Sequence, residues 1–559
     1  MGDNPTNKGL DANLVEKRLE FNGSDLKNAF NAALSWLKTN QQIVNALNVF
    51  PVPDGDTGTN MVLTMQAAQN EIAQVEEHNV GKMAHKIAQG SLMGARGNSG
   101  VILSQIWRGF ARGLDNYETM DAQKMAVALV EAKTTAYKGV VRPVEGTILT
   151  VIKDIAAAAE TEWAATPDLV TFFGKLVKSA NESVLRTPDL LPILKSANVV
   201  DSGGKGLFYI FEGIYRSLTG ESLENSIEIQ PISAIQTGDV MEAVEPGQDF
   251  EVIIDFVPDS TFSLNDFYNG LEMIGTSIQV GEGDGLYRMH IHVPTEKRYE
   301  PIDFTMTQGT ITKVFIENLL AQMQNKAECQ DEIKTARIEQ GQIAVVAVSP
   351  GRGISQIFAS LGVAAIVEGG QTMNPSTEEI ISSFRNLPTD KIIILPNNKN
   401  IIMAAQTAAS TYTEKNVIVV PSRSIPQGLS AMLQLLPDGD LERVSNSMKS
   451  ALNDVITGEI TVATRSVNLN GVDVQEGSTI ALLDGKLIQS ASTIDEACLG
   501  LLVKAEAINY ERITLFYGNN ISTEDLNRIS EKIHTAYPGH EIEIHQGDQP
   551  HYQFIIAIE

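Results

Sequence analysis

Asn48-Val49-Phe50-Pro51-Val52-Pro53-Asp54-Gly55-Asp56-Thr57-Gly58-Thr59-Asn60-Met61 places two carboxylates one glycine apart, close to the start of the chain. Pro51 and Pro53 fix φ and remove backbone donors, so the approach to the acids reads as a stiff non-helical arm, while Gly55 and Gly58 admit geometries that other residues resist. From Thr59 onward Met61, Leu63, Met65, Ala68 and Ile72 recur at roughly helical spacing, with Thr57 or Thr59 available as N-cap. The acids thus stand ahead of a helix N-terminus, whose free N–H groups favour phosphate oxygens, and hard carboxylate oxygens suit Mg²⁺. A bare Asp-Gly-Asp is more often an ordinary surface turn, whereas a calcium loop fails because no acid follows at its closing bidentate position.

Working outward, Ser24 or Asp25 can cap a helix with Leu26, Phe30, Ala33, Leu34 and Leu37 on one face, and the helical pattern continues to about residue 222. Within it, Gly90-Ser91-Leu92-Met93-Gly94-Ala95-Arg96-Gly97-Asn98-Ser99-Gly100 precedes an amphipathic helix through Ile102, Ile106 and Phe110. Its glycines and serines suit close approach of backbone N–H groups to an anion, and suit a tight connection between packed helices equally well. The spacing is neither that of a P-loop nor that of a Rossmann site. Arg142-Pro143-Val144-Glu145-Gly146-Thr147-Ile148-Leu149 reads as a helix start with Pro143 and Glu145 in its first turn, and Val200-Asp201-Ser202-Gly203-Gly204-Lys205-Gly206 as a glycine turn.

The 559 residues allow three to five domains, and 43% hydrophobic content is ample for their cores. A formal charge of −27, from 42 basic and 69 acidic residues, argues against nucleic acid as a partner. Cys329 and Cys498 do not make a disulfide framework, no apolar run approaches a membrane span, and no signal-peptide core opens the chain. A cytoplasmic location is the expectation. The myristoylation pattern at Met1-Gly2 has no supporting basic cluster and is set aside.

The string Pro51 to Met61 resembles the ATP-binding L domain of dihydroxyacetone kinases and, more closely, the fatty acid kinase catalytic-subunit family. The resemblance covers roughly residues 20 to 215 and implies Asp54 and Asp56 as ligands of two Mg²⁺ ions, with Thr57, Gly58, Thr59, Asn60 and Met61 beside the nucleotide. It implies further that the loop with Ser91, Gly94, Asn98, Ser99 and Gly100 covers the phosphates, that Arg142, Glu145, Gly146 and Thr147 wall the adenine side, and that Asp201, Ser202, Gly203 and Gly204 close over the nucleotide. Dihydroxyacetone kinases have a third aspartate where Asn48 stands, and a histidine where Thr57 stands, and both differences point to the fatty acid branch. The neutral Asn48 amide can still ligate Mg²⁺ but lowers the charge of the site.

Residues 223 to about 245 read as a linker, followed by a small α+β domain: strand Phe250 to Phe256, helix Leu264 to Ile274, strands Thr276 to Val280 and Leu286 to Val293, and a helix from about Thr310 to Met323. Arg288, His290 and His292 share one strand face, the two histidines about 7 Å apart. The resembled family binds a structural zinc here with a His-x-His pair and a cysteine from the first strand. That strand has no cysteine in this chain, so zinc is not the expectation, and the histidines read as occupants of a half-exposed face.

Beyond a polar linker near Lys326 to Gln340, short β-rich runs at Ile343 to Val348, Ala364 to Val367, Lys391 to Leu395 and Val417 to Val420 alternate with helices, which implies a mainly parallel sheet. Ser349-Pro350-Gly351-Arg352-Gly353, Gly369-Gly370-Gln371-Thr372-Met373-Asn374-Pro375-Ser376, Pro396-Asn397-Asn398-Lys399-Asn400 and Pro421-Ser422-Arg423-Ser424 fall at strand C-terminal ends, where open α/β sheets bind ligands and where helix capping is also ordinary. Further strands lie at Glu459 to Arg465, Ser478 to Leu483 and Ile513 to Tyr517. The resembled family shares the Gly-Gly-Gln-Thr-Met-Asn-Pro-Ser and Pro-Asn-Asn-Lys-Asn strings, in a domain similar to its fatty acid-binding partner proteins.

The fold expected is multidomain: an all-α nucleotide-binding helical barrel or bundle at 13–222, a small α+β middle domain at 245–325 and an α/β domain at 341–559. The resemblance implies an ATP- and Mg²⁺-dependent phosphotransferase acting on a fatty acid carried by a separate fatty acid-binding protein, and a homodimer. An ionised carboxylate acceptor needs no general base, which agrees with the lack of a histidine beside the acids. The alternatives are a silent ATP-binding scaffold and a dihydroxyacetone kinase-type subunit.

Overall fold

The computed structural model describes residues 17–48, 55–140, 142–223, 230–231, 249–259, 262–283, 286–318, 333–371, 373–463, 466–469 and 471–559. Two compact units emerge, one built from residues up to 223 and from 334 to the end, the other from 224–333.

In the first unit, among the described residues, ten helices come first: α1 (Gly23–Thr39), α2 (Gln41–Ala46), α3 (Thr57–Ile72), α4 (Val80–Met93), α5 (Gly97–Gly113), α6 (Ala122–Lys138), α7 (Ile148–Glu162), α8 (Leu169–Leu190), α9 (Pro192–Ser196) and α10 (Ser202–Thr219). The long helices pack on their chain neighbours, and α10 returns against α1, so the bundle closes as a barrel. Phe30, Leu34, Leu37, Met61, Met65 and Phe172 are fully buried within it. Glycines set the closest approaches: a Cβ on Gly109 of α5 would stand 2.4 Å from the Glu131 carbonyl oxygen of α6. An apolar cavity of about 40 Å³, walled by Phe21, Trp107, Phe110, Phe173 and Phe211, lies inside. Since one water needs about 10–15 Å³ on this scale, the space is larger than a single water site.

Several helix starts differ from their sequence reading. Asn22 caps α1 and shares a capping box with Asp25, because Asn22 accepts from Asp25 N while Asp25 accepts from Asn22 N. Asp56, not Thr57 or Thr59, is the N-cap position of α3, and α7 begins at Ile148 behind Thr147, leaving Pro143 and Glu145 in the preceding loop. Gly146 there has φ +83°, a left-handed conformation that a first helical turn cannot contain. The glycine turn at 200–206 is the start of α10, with Asp201 as its cap.

The same unit continues into an α/β part. The strands β1 (Ile343–Ser349), β2 (Ala365–Glu368), β3 (Lys391–Leu395) and β4 (Asn416–Val419) form a parallel sheet in the order β2-β1-β3-β4, as expected from their continuous apolar runs. A six-stranded, mainly antiparallel sheet follows, holding strands Ile456–Val462, Thr479–Leu483, Lys486–Ala491, Arg512–Tyr517, Glu541–Gln546 and Tyr552–Ile558. Ala95 of the α4–α5 connection and Val101 of α5 sink into the same apolar cluster as Val346, Ile381 and Ile394. The helical and α/β parts therefore share core.

The second unit has one sheet, with strands Phe250–Pro258, Thr276–Gly283, Leu286–Val293 and Gly309–Asn318 and the two residues Gln230–Pro231, covered by helices Leu264–Glu272 and Glu300–Met306. The helix expected from Thr310 to Met323 is instead a strand over 309–318, because Thr310, Ile311, Thr312, Val314 and Ile316 are β-branched and gain the Phe250–Pro258 ladder. Gln230–Pro231 also pairs with Gly281 and Glu282, within what reads as linker.

Gly109→Val inserts a branched side chain into the α5–α6 contact and is expected to destabilise the helical part by about 1–3 kcal/mol. A lowered thermal midpoint by circular dichroism at the helical minimum checks this, and an unchanged midpoint would show that the helices separate freely.

Candidate functional site

Four helix N-termini are tied together at one end of the bundle. Asp56 is 8% exposed at the start of α3, where Asn60 and the backbone donate to it. Burial pushes its carboxyl up to about 6, against the pull of those hydrogen bonds and of Asn374. Ser202 Oγ donates to Thr57 Oγ1 at 3.2 Å, joining α10 to α3. Asp201 accepts from Gly204 N at 2.7 Å and from the Ile148 backbone, joining α10 to α7, and burial raises its carboxyl to about 6 as well. Gly97 has φ +55°, and a Cβ there would stand 2.7 Å from Asn60 Nδ2, so α5 starts against α3. Thr59 is fixed from behind, its Oγ1 accepting from Gln41 Nε2 at 3.0 Å and Asn45 Nδ2 at 3.1 Å.

Asp54 lies outside the described residues. Asn48 lies just after α2, its N–H donating to the Asn45 carbonyl at 3.0 Å. Gly58 is buried against the Gln41 carbonyl, and Met61 points into the core, its sulfur 2.5 Å from where a Gly206 Cβ would sit. Gly203 and Gly204 form the first turn of α10.

The glycine-rich loop is shorter than its sequence suggests. Gly90 to Met93 belong to α4, and Ser91 is fully buried there with an unpartnered Oγ, so only Gly94, Ala95 and Arg96 connect the helices. Asn98, Ser99 and Gly100 are the first turn of α5; Asn98 Nδ2 donates to Asn400 Oδ1 at 3.4 Å, and Gly100 packs on Thr64. On the expected adenine wall, Arg142 and Glu145 are exposed, and Glu145 is engaged by Lys153 Nζ at 2.6 Å, Thr150 Oγ1 at 2.7 Å and Tyr137 Oη at 3.0 Å. The lysine beside it holds its carboxyl below the usual range. Thr147 caps α7.

Sequence reasoning missed the residues that the α/β part brings here. Asn374 Nδ2 donates to Asp56 Oδ2 at 2.5 Å from 318 positions away. Arg96 Nη1 donates to the Asn374 carbonyl at 2.9 Å and its guanidinium pairs with Glu379 at 3.0 Å. The signal available is the Gly369 to Ser376 string, which the sequence places at a strand end but not at this acid.

In the other unit, Glu251 faces the strand bearing His290 and His292, and one ligand atom from each lies within 4.8 Å of the others. Glu251 Oε1 is 2.8 Å from His290 Nε2, and the histidine rings are 4.8 Å apart. The histidines are buried, 6% and 4% exposed, rather than half-exposed. A carboxylate thus stands beside the two histidines on the strand that lacks a cysteine.

Known proteins match nearly the whole chain. Residues 51–216 match the DAK2 domain, 245–326 the FakA-like middle domain of fatty acid kinases, and 344–559 the FakA-like C-terminal domain of fatty acid kinases. Protein YloV of Bacillus subtilis is 37% identical over 540 residues, covering 94% of this chain and 96% of its own. The chain belongs to the FakA-like fatty acid kinase family. A Staphylococcus aureus protein, SAUSA300_1119, is 36% identical over 535 residues with the same coverage. The dihydroxyacetone kinase from C. freundii, solved with AMP-PNP and Mg²⁺, overlaps 39% of this chain and 38% of its own at 20% identity, with a TM-score of 0.27. As a member of the FakA-like family the chain has a kinase-type helical domain, a small mixed middle domain and an α/β C-terminal domain. Among the described residues no helix is long and apolar enough to cross a membrane.

Gly97→Ala forces a methyl against the Asn60 amide from a left-handed backbone. Binding of a fluorescent ATP analogue is expected to weaken by about ten-fold or more with helical content unchanged, the cost of a strained backbone being about 1–3 kcal/mol; equal affinity would place the nucleotide elsewhere.

Proposed function

We propose that this protein is the ATP-consuming component of a fatty acid kinase, transferring the γ-phosphoryl group to the carboxylate of a fatty acid held by a separate fatty acid-binding protein. The observation that carries this reading is the buried Asp56 carboxylate at the joined N-termini of α3 and α10, in a chain of this family. Asp56, with Asp54 and Asn48 from the preceding arm, would hold two Mg²⁺ ions, and bound Mg²⁺ supplies neutralisation of phosphate charge. The residues fit that group: Asp56 is an anionic oxygen donor whose burial is costly without a cation, and the helix starts supply N–H groups toward phosphate.

The chain's own part is positioning. Asp56 and Thr57 fix the phosphate end, the α5 start at Gly97 to Gly100 closes one side, and Asp201 with Ser202 sets the other. The acyl carboxylate forms a bond to the γ-phosphorus as the bond to ADP breaks, and no proton needs removal. In this reading the acyl chain itself stays on the carrier. The protein acts in the cytoplasm, as a homodimer.

Hydroxamate trapping of acyl phosphate tests this. With ATP, Mg²⁺ and carrier-bound fatty acid the product is expected, Asp56→Asn abolishes it, and free fatty acid alone gives little. Full-rate product without carrier would put the acyl site in this chain, and turnover with dihydroxyacetone alone would establish the rival substrate.

A second metal reading belongs to the middle domain. Glu251, His290 and His292 have the two-histidine, one-carboxylate composition that zinc accepts. Stoichiometric zinc is expected by elemental analysis, falling in Glu251→Ala and His290→Ala; metal-free protein would leave the trio as a cluster held by the Glu251–His290 contact.

A further inference from the structure

The loop Gly369 to Ser376 belongs to the α/β part, yet its Asn374 reaches the acid of the helical part. The side chain is 3% exposed, its Nδ2 is spent on Asp56, and its Oδ1 is buried without a hydrogen-bond partner. An amide oxygen left unpaired beside a carboxylate is a cost that folding alone does not recover. Its position is held from several directions. Arg96 grips the Asn374 carbonyl and Glu379, Ser376 and Glu379 form a capping box on the helix Thr377–Arg385, and Thr377 N donates to the Ala95 carbonyl at 3.2 Å. Such a held amide oxygen, next to an anionic ligand, fits water in a divalent cation's coordination shell.

We infer that Asn374 is a positioning residue of the phosphotransfer site, its N–H orienting Asp56 and its Oδ1 accepting from a water on the divalent cation, so that the α/β domain completes the kinase site. This rests on the proposed Mg²⁺-dependent reading of Asp56. Partners of a metal's direct ligands commonly change affinity about 10–100-fold, which sets the size of the effect.

The test is Mn²⁺ titration of the full chain with AMP-PNP, followed by electron paramagnetic resonance, for wild type, Asn374→Ala and Asn374→Ser. Both variants are expected to weaken Mn²⁺ by about ten-fold or more and to raise the Mg²⁺ half-saturation of turnover equally, while nucleotide affinity without divalent cation and the thermal midpoint stay near wild type. Unchanged Mn²⁺ affinity in either folded variant overturns the inference, as does faster turnover, which would make Asn374 a blocking contact, or a lowered midpoint with normal Mn²⁺ affinity, which would make it a latch. Wild type that binds no Mn²⁺ with nucleotide would instead overturn the Mg²⁺ reading of Asp56 itself. Asn374→Ser covers the case in which Asn374→Ala fails to fold, since serine is polar but too short to reach the carboxylate.

Discussion

Burying a carboxylate is expensive unless something answers its charge, and this fold buries Asp56. Hydrogen bonds from Asn60 and Asn374 answer part of that cost, and the raised carboxyl shows that they do not cancel it. The helix ends, the short Gly94–Arg96 connection and the α/β loop are arranged around this one group. The direct contacts come from the Asn60 and Asn374 side chains, and Arg96 holds the second of these in place.

The same constraint governs the link between the two parts of the larger unit. Ala95 and Val101 give apolar area to the α/β core, Arg96 gives an ion pair and a carbonyl contact, and the residues between the acid and the parallel sheet carry both. A surface ion pair alone contributes little. Here it frames a buried amide, and its value lies in fixing geometry. The polar string at Gly369 to Ser376, which the sequence places at a strand end, reaches Asp56 from within the same unit.

What the sequence makes legible is uneven, for physical reasons. The helical period up to residue 222 and the parallel-sheet runs are local patterns, and the elements fall where those patterns put them. Helix starts are harder to place where glycines lie inside helices: Gly90 and Gly203 serve close packing, not turns. The strand at Gly309–Asn318 carries apolar residues that also satisfy a helical period, and pairing with Phe250–Pro258 decides the matter. Asn374 and Glu251 are out of reach of sequence reading, since nothing local places one beside Asp56 or the other beside His290.

Hydrogen exchange of the full chain, with and without Mg²⁺ and AMP-PNP, measures the central claim that one site spans both parts. Backbone amides of the α4–α5 connection and of the segment from Gly369 to Glu379 are predicted to slow together when both are added, and neither to slow with AMP-PNP alone. Protection confined to the helical part, with the Gly369–Glu379 segment unchanged, would contradict it.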